Sequence, residues 1–369
     1  MINLKKKLIF ILFIILLISI SGCTGKKGST KSVEEIRTGT EGIVINFLPN
    51  TPPDKIHIEQ GADESLTTFQ VVLEVRNKGA YPQPDDGVPS PIGRIFLSGY
   101  DTNILAFDKN VEELSGKPLD GKSTINQNGG LDFITFNGQI LTGNLNVENY
   151  EPIIQATACY NYITIAGPSV CIDPNPYSTV KEKKVCEVKS ILLQSQGAPV
   201  AVINIDEEAF ATKTQFKITI KNIGGGEVIH DRALDKCAPT GEKLSRENID
   251  KVYLIGAKVG TKSLNCGPFI GSQGAVVYGG SGDIRLLNNE GFVICELSSK
   301  DYSNTKSAYT TPLTVNLLYG YRTTIEKKIQ IKREASGLSS DSVSSRPVQD
   351  SSSPSNQRID EIVENYGRE

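Results

Sequence analysis

The sequence has little of what catalytic and metal-binding proteins rely on most. Its 369 residues include no Trp, one Met and two His. Because no Cys-x-x-Cys pair occurs and only two His are present, a zinc cluster is not expected, and we predict no metal site and no cofactor. Neither His57 nor His230 has a Ser or Cys close to it in the sequence, so no catalytic constellation is visible and we predict that the protein is not an enzyme.

Negative charge exceeds positive charge, and the excess is larger once the first residues are set aside. The formal net charge is −3 at pH 7, and removal of a leader that contains Lys5, Lys6 and Lys7 takes it to −6. Proteins that bind nucleic acid usually present a basic face, so the sequence argues against a nucleic-acid partner. After the first 20 residues no further run of 18 apolar residues follows, so no membrane-spanning helix is predicted downstream.

The N-terminus is typical of an exported protein. The three lysines precede an apolar run, Leu8 to Ile20, that is interrupted only by Ser19. A run of about 13 residues is short for a spanning helix, which needs roughly 17–25, and fits a signal peptide over residues 1–22. An uncleaved signal anchor is the alternative.

The end of that run, Ile20-Ser21-Gly22-Cys23, resembles the lipobox of bacterial and archaeal lipoproteins. The resemblance implies that Cys23 carries a lipid and that the protein is held at the extracytoplasmic face of the cell membrane by this anchor. Residues 23–40 are polar and rich in Lys, Ser, Thr and Gly, which predicts a flexible tether.

The rest of the composition favours β-structure. There are 34 Gly and 18 Pro, and turn residues recur between short stretches rich in Val, Ile and Thr. This pattern predicts an all-β protein, and the length suggests two domains.

An even number of cysteines is left after Cys23, which in an exported chain predicts disulfides. If bridges stay within domains, Cys159 pairs with Cys171, and the other four pair in one of three ways. A Cys171–Cys186 bridge across the domain junction is the rival pairing. The six candidates are Cys159, Cys171, Cys186, Cys237, Cys266 and Cys295.

A weak internal duplication is the most informative feature. Tyr150–Ile172 aligns without gaps on Tyr309–Ile331, at an offset of 159, and each copy contains a Tyr-x-Tyr that we interpret as part of a β-hairpin. Val71–Gly79 aligns on Phe216–Gly224, and Phe96 to Gly99 aligns on Tyr253 to Gly256, at offsets of 145 and 157. Three matches in the same order predict two copies of one fold rather than a solenoid.

The predicted architecture is two tandem immunoglobulin-like β-sandwich domains, residues 41–176 and 177–334. Residues 335–357 are rich in Ser and are predicted to be a disordered linker. In residues 358–369, Ile359, Ile362, Val363 and Tyr366 recur at the spacing of one helical face, which predicts a short amphipathic helix. This helix either docks on a partner, or packs back on its own domain or frays.

The segment Phe69 to Gly79, which ends in Asn-Lys-Gly, resembles the strand signature of CARDB-type adhesion modules and related immunoglobulin-like domains of archaeal surface proteins. The chain from about residue 40 to 333 looks like an archaeal cell-surface lipoprotein with tandem domains of this kind. The resemblance implies an adhesive or scaffolding role, with a protein or an envelope polymer as partner. Long insertions at Tyr81–Ile92 and Asp231–Asp250 depart from a compact module.

The spacing of one nucleotide-binding motif is present, but its sequence context is not. Gly116, Gly121, Lys122 and Ser123 match the P-loop spacing. A P-loop follows a buried strand and opens a helix, whereas Val111 to Ser115 is polar and the residues after Ser123 are typical of a loop.

Three functions are therefore open. The first is a structural or interaction module on the cell surface, which the duplication, the tether and the lack of catalytic motifs favour. The alternatives are a lipid-anchored protein that binds a small solute or an envelope glycan, and a surface hydrolase. A deep groove between the domains would favour the second function, and a cluster of ionisable side chains in a pocket would favour the third.

Overall fold

The fold is described from a computed structural model. It describes residues 36–59, 67–83, 92–178, 183–239, 242–270, 276–302 and 307–334. Cys23, the leader, the Ser-rich linker and the tail residues Ile359, Ile362, Val363 and Tyr366 lie outside these ranges, so the expectations for them stay predictions.

The described residues form 22 strands and several short 3-10 turns. The strands of the first half are β1 Ile43–Phe47, β2 Lys55–Glu59, β3 Thr68–Asn77, β4 Gly93–Ser98, β5 Leu105–Phe107, β6 Val111–Glu113, β7 Leu131–Ile140, β8 Asn149–Tyr150, β9 Ile153–Ala166 and β10 Ser169–Ile172. The strands of the second half are β11 Ile191–Leu192, β12 Val200–Ala209, β13 Lys213–Asn222, β14 Glu227–Ile229, β15 Lys251–Val259, β16 Lys262–Ser263, β17 Asn265–Ile270, β18 Val276–Gly279, β19 Gly282–Arg285, β20 Glu290–Ser298, β21 Tyr309–Lys328 and β22 Gln330–Glu334. The 3-10 helices are Thr142–Asn144, Asp231–Lys236 and Ser299–Asp301.

The predicted all-β fold is confirmed. A four-stranded sheet, β1-β3-β7-β5, belongs to the first half, and a six-stranded sheet, β11-β12-β13-β20-β17-β18, belongs to the second. A nine-stranded sheet whose main path is β16-β15-β21-β9-β4-β6 takes strands from both halves, and β2-β22-β8 forms a small fourth sheet. The two half-specific sheets share one hydrophobic core with the nine-stranded sheet, so each half is a β-sandwich.

The alternating sequences of β3 and β13 explain how these layers form. In β3, Val71, Leu73 and Val75 are fully buried, while the residues between them are partly exposed. In β13, Phe216, Ile218 and Ile220 are buried in the same way. Because successive side chains of a strand point to opposite faces, each strand buries one face in a sandwich core and leaves the other towards solvent.

The hairpin interpretation of the Tyr-x-Tyr segments is wrong. Each segment is one continuous strand, β9 or β21, and the two strands pair antiparallel with each other from Ile153↔Lys328 to Ala166↔Val315. The expected return strands instead continue the same ladder, since β10 pairs with β21 and β22 pairs with β8 in the same register. The duplicated segment therefore pairs with its own second copy over its whole length. The two tyrosines of each segment have the alternating spacing of a single strand, and the strand continues beyond them without a turn.

The register of this ladder is reciprocal. Tyr160 pairs with Tyr321 and Tyr162 pairs with Tyr319, with Asn161 opposite Gly320 between them. The two halves are thus related by a pseudo-twofold axis through that central pair, the arrangement of an isologous dimer within one chain. Directly paired residues of an antiparallel ladder point to the same side, so both outer sheets lie over the same face of the nine-stranded sheet.

Four tyrosines fill the space at the axis. Tyr160, Tyr162, Tyr319 and Tyr321 are almost fully buried, and their neighbouring ring centroids lie 5.9 to 6.4 Å apart. Burial raises the pKa of each of these phenols above its usual value, so the hydroxyls stay protonated and can donate.

The Asn-x-Gly turns connect these tyrosines to the outer sheets. Asn77 Oδ1 accepts from the Tyr162 hydroxyl at 3.0 Å and from the Gly79 N–H at 3.0 Å. Asn222 Oδ1 accepts in the same way from Tyr321 at 3.2 Å and from Gly224 at 3.2 Å. The Asn of each Asn-x-Gly turn thus provides a buried amide that links the end of β3 or β13 to the tyrosines at the pseudo-twofold axis.

Three disulfides use all six predicted cysteines, as Cys159–Cys237, Cys171–Cys186 and Cys266–Cys295. The rival pairing Cys171–Cys186 is confirmed, and the expected Cys159–Cys171 bridge is wrong. Strand β9 stays extended after Cys159, and β10 does not fold back along it. Twelve residues of extended chain span roughly 40 Å, far beyond the reach of a disulfide. Cys159 is bonded instead to Cys237, just after the 3-10 helix of the predicted insertion.

Replacement of Asn77 by Ala should destabilise the protein strongly. The Asn77 amide also donates to the carbonyls of Tyr81 and Leu119, both at 2.8 Å, so its loss leaves several buried groups unpaired. We expect a decrease of about 3 kcal/mol in the free energy of unfolding, measured by urea denaturation. Asn46→Ala, on the exposed face of β1, is the control and should change it by less than about 0.5 kcal/mol. Equal losses for the two variants would contradict this role.

Removal of the Cys159–Cys237 bridge should cost more stability than removal of Cys171–Cys186. The first closes a sequence separation of 78 residues and the second a separation of 15. Chain-entropy estimates are about 4.5 and about 3 kcal/mol. Paired Cys→Ala variants compared by denaturation should show this order, and the reverse order would mean that strain or packing outweighs loop closure.

Candidate functional site

The outer edge of β1 carries unpaired backbone groups. Lys78 N–H donates to Gly42 C=O, and Leu48 N–H donates to Val72 C=O, each at 2.9 Å. Because hydrogen-bonded positions alternate in an antiparallel pair, the even-numbered residues of β1 bond to β3, and Ile43, Ile45 and Phe47 direct their N–H and C=O groups to the opposite edge. There the Ile43 N–H donates to the Tyr160 hydroxyl, which leaves Ile45 and Phe47 as the residues whose groups face the open edge. Within the described ranges, β1 has no strand on that edge.

The same edge in the second half is closed. Val200 is the counterpart of Ile43, and its C=O accepts from the Thr164 hydroxyl at 2.6 Å. The Gln196 side chain bonds both the N–H and the C=O of Val202, at 2.9 and 3.0 Å. Beyond it, Leu193 N–H donates to Ile203 C=O, and β11 pairs with β12. The edge of β12 is therefore occupied by the chain that leads into it.

Among the residues that the structure describes, the first half lacks these caps. At the offset of 157, Gly39 stands where the second half has Gln196, so there is no amide side chain to bond Ile45. The leading chain is held elsewhere, since Gly39 N–H donates to Ser195 Oγ at 3.0 Å and Lys122 Nζ donates to Thr38 C=O at 3.2 Å. The edge of β1 is left open by these contacts.

A cavity of about 210 Å³ lies beside this open edge. Thr323, the counterpart of Thr164, lines it, and its buried hydroxyl has no hydrogen-bond partner. In the second half this hydroxyl bonds a backbone carbonyl, so the first half has the donor without its acceptor. The other residues around the cavity are Thr40, Glu41, Gly42, Ile43, Val44, Ile45, Tyr160, Pro199, Gly225, Gly226, Tyr321 and Ile325. We name the β1 edge and this cavity the β1-edge groove.

Two other grooves contain polar side chains that are hydrogen-bonded to one another. One of about 450 Å³ lies on the opposite face of the nine-stranded sheet, where Arg322 pairs with Glu227 and Thr157 bonds Thr324. Another, of about 510 Å³, lies over Gly138 at the end of the first sheet, where Asn137 is bonded to Asp108. The polar pairs named here are bonded to one another, and Thr323 borders the first of these grooves as well.

The two histidines lie in different elements of the fold. His57 lies in β2 with an exposed side chain, as expected from its alternating strand. His230 begins the 3-10 helix, where its Nδ1 accepts from Arg232 N–H at 3.1 Å and its Nε2 lies 3.2 Å from Asp283. The described ranges contain no group of three His, Cys, Asp or Glu side chains arranged to hold a metal ion.

The residues of the P-loop-like motif pack against the first Asn-x-Gly turn. Gly121 N–H donates to Pro82 C=O at 2.6 Å, and Lys122 N–H donates to Gly79 C=O at 2.7 Å. No helix follows Ser123 in this described stretch, so the geometry of a phosphate site is missing. Over the described ranges, no helix has the length and apolarity needed to cross a bilayer.

Comparison with known protein families and with curated protein sequences gives no match. Two solved structures are weakly similar. The periplasmic chaperone SfaE has a TM-score of 0.17 and 9% identity, covering 48% of this chain and 92% of its own. The CupB6 tip adhesin from Pseudomonas aeruginosa has a TM-score of 0.20 and 9% identity, covering 79% of this chain and 97% of its own. At these scores neither likeness bears on function.

One buried carboxyl lies outside the groove, in the core of the second half. Glu207 is 5% exposed, accepts from the Cys171 N–H at 3.2 Å, and has its other carboxyl oxygen unpaired. Burial raises the pKa of Glu207 to about 7, against a usual value of 4.5. Between pH 4.5 and about 7, the folded protein therefore keeps a proton on Glu207 that the unfolded chain has released.

Stability should accordingly fall as the pH rises from about 4.5 to about 7. The contribution from Glu207 is up to about 3 kcal/mol over that window, because unfolding there releases one proton. Glu207→Gln should remove this slope, and Glu208→Gln, on the exposed face of the same strand, should keep it. Urea midpoints measured from pH 4.5 to 8 give the comparison, and parallel curves for wild type and Glu207→Gln would refute it.

Proposed function

We propose that this protein is a membrane-tethered interaction module on the extracytoplasmic side of the cell, which holds a protein partner rather than transforming a substrate. The observation that carries this proposal is the open edge of β1, a row of unpaired backbone groups beside a cavity. Exposed edges of this kind pair readily with another chain, and proteins usually cover them.

The framework around the edge supports the proposal. The two sandwiches share a ladder through the duplicated segments, and three disulfides fasten the surrounding loops. Disulfides are favoured in oxidising compartments outside the cytoplasm, which agrees with export. A rigid support lowers the entropy that is lost when a partner binds. Lipid attachment at Cys23 would keep this surface close to the membrane.

Crosslinking on intact cells, followed by mass spectrometry, tests this function. We expect full-length protein to capture a specific protein partner. A version that lacks Arg358 to Glu369 separates the two candidate contacts. Loss of the partner would assign docking to the tail helix, and retention would assign it to the sandwiches.

An Ile362→Asp variant, with Asp360→Ala as its control, gives the same test without a truncation. Absence of any captured protein with every version would count against the interaction function. It would favour the alternative of a protein that binds a solute or an envelope glycan.

A further inference from the structure

We propose that the β1-edge groove binds an extended segment of a partner polypeptide, which adds to the first sheet as a strand antiparallel to β1. This inference rests on the proposed interaction function and names its site and the form of its partner. Strand addition obtains affinity from backbone hydrogen bonds and specificity from pockets for alternate side chains.

The second half shows what this edge accommodates. There the equivalent edge is covered by extended polypeptide, β11 and the residues that follow it, as far as Gln196. The two edges belong to the same fold and are related by the pseudo-twofold axis. By this symmetry, the edge of β1 has the geometry to accept an extended polypeptide backbone.

The open groups define the contacts a bound strand would make. Ile45 and Phe47 offer N–H donors and C=O acceptors along the edge, as judged from the register with β3. Thr323 offers a hydroxyl donor that lines the cavity and has no acceptor, whereas its counterpart Thr164 bonds the carbonyl of Val200, the β12 residue that corresponds to Ile43. A bound strand would bring a backbone carbonyl to this free hydroxyl, and its inward side chains would enter a cavity of about 210 Å³ between Ile45 and Ile325. Small or medium apolar side chains at alternate positions fit these walls.

Two glycines allow a matched steric test. No heavy atom lies within 4 Å of a Cβ placed on Gly225, which lines the groove, or on Gly167, which lies between β9 and β10. Gly225→Leu should therefore fill the groove with little effect on folding, and Gly167→Leu should add the same side chain away from it.

The probe is a synthetic peptide of residues 189–196, Lys-Ser-Ile-Leu-Leu-Gln-Ser-Gln, which contains the segment that covers the equivalent edge. Amide hydrogen exchange of the full-length protein, followed by NMR, is measured with and without it. We expect the peptide to slow exchange at Ile45 and Phe47, while Val44 and Asn46, already bonded to β3, change little. Gly225→Leu should weaken binding at least about tenfold, and Thr323→Val by about two- to tenfold, the range for one lost hydrogen bond. Gly167→Leu should bind as wild type.

Several results would overturn the proposal. These are the absence of protection at Ile45 and Phe47 at millimolar peptide, protection that appears instead along β12, or protection that persists in Gly225→Leu. Protection of Ile45 by self-association in the absence of peptide would assign the edge to a second copy of this chain. If a partner is captured on cells equally by wild type and Gly225→Leu, the interaction function stands and strand addition is wrong.

Discussion

Antiparallel pairing of the duplicated segment with its own second copy is the interaction on which the other layers depend. It places β9 and β21 at the centre of one sheet, and both outer sheets pack on the same face of that sheet. The register is strongly determined, because a slip of one residue would turn the two tyrosines of the shifted strand from the core to the opposite face. The Asn-x-Gly turns bond to these tyrosines, so the position of each outer sheet follows from the same register.

Symmetry of this kind gives a comparison that a single domain would lack. The two halves repeat the same strand order around the axis, yet one edge strand is capped by its own chain and the other has no neighbouring strand in the described part of the chain. The difference comes down to a few positions, including Gly39 in place of Gln196. Duplication allows one copy to keep a closed, stabilising edge while the other is free to acquire a binding surface.

The sequence predicts the local features of this fold well and its long-range connections poorly. The all-β fold and the use of all six predicted cysteines in disulfides follow from composition and short patterns, and the structure confirms them. The Tyr-x-Tyr pattern does not indicate the strand with which it pairs. Alternation determines which residues of a strand share a face, but it does not determine which strand lies alongside. The Cys159–Cys171 prediction failed for the same reason, since it assumed a chain reversal between them. The β1-edge groove was missed because an unpaired edge is a property of the assembled sheet. The one signal in the sequence that could have indicated this groove is that Gly39 occupies the position in the first copy that Gln196 occupies in the second.

The small sheet that joins the two ends of the folded chain has a mechanical consequence. β2 lies near the start of the described chain and β22 at its end, and they run parallel, from Lys55↔Gln330 to Glu59↔Glu334. Tension applied between Lys55 and Glu334 would pull these two strands lengthwise in opposite directions. All of their hydrogen bonds would then share the load at once rather than open one at a time. The parallel pair therefore resists separation of these two points of the chain by shear.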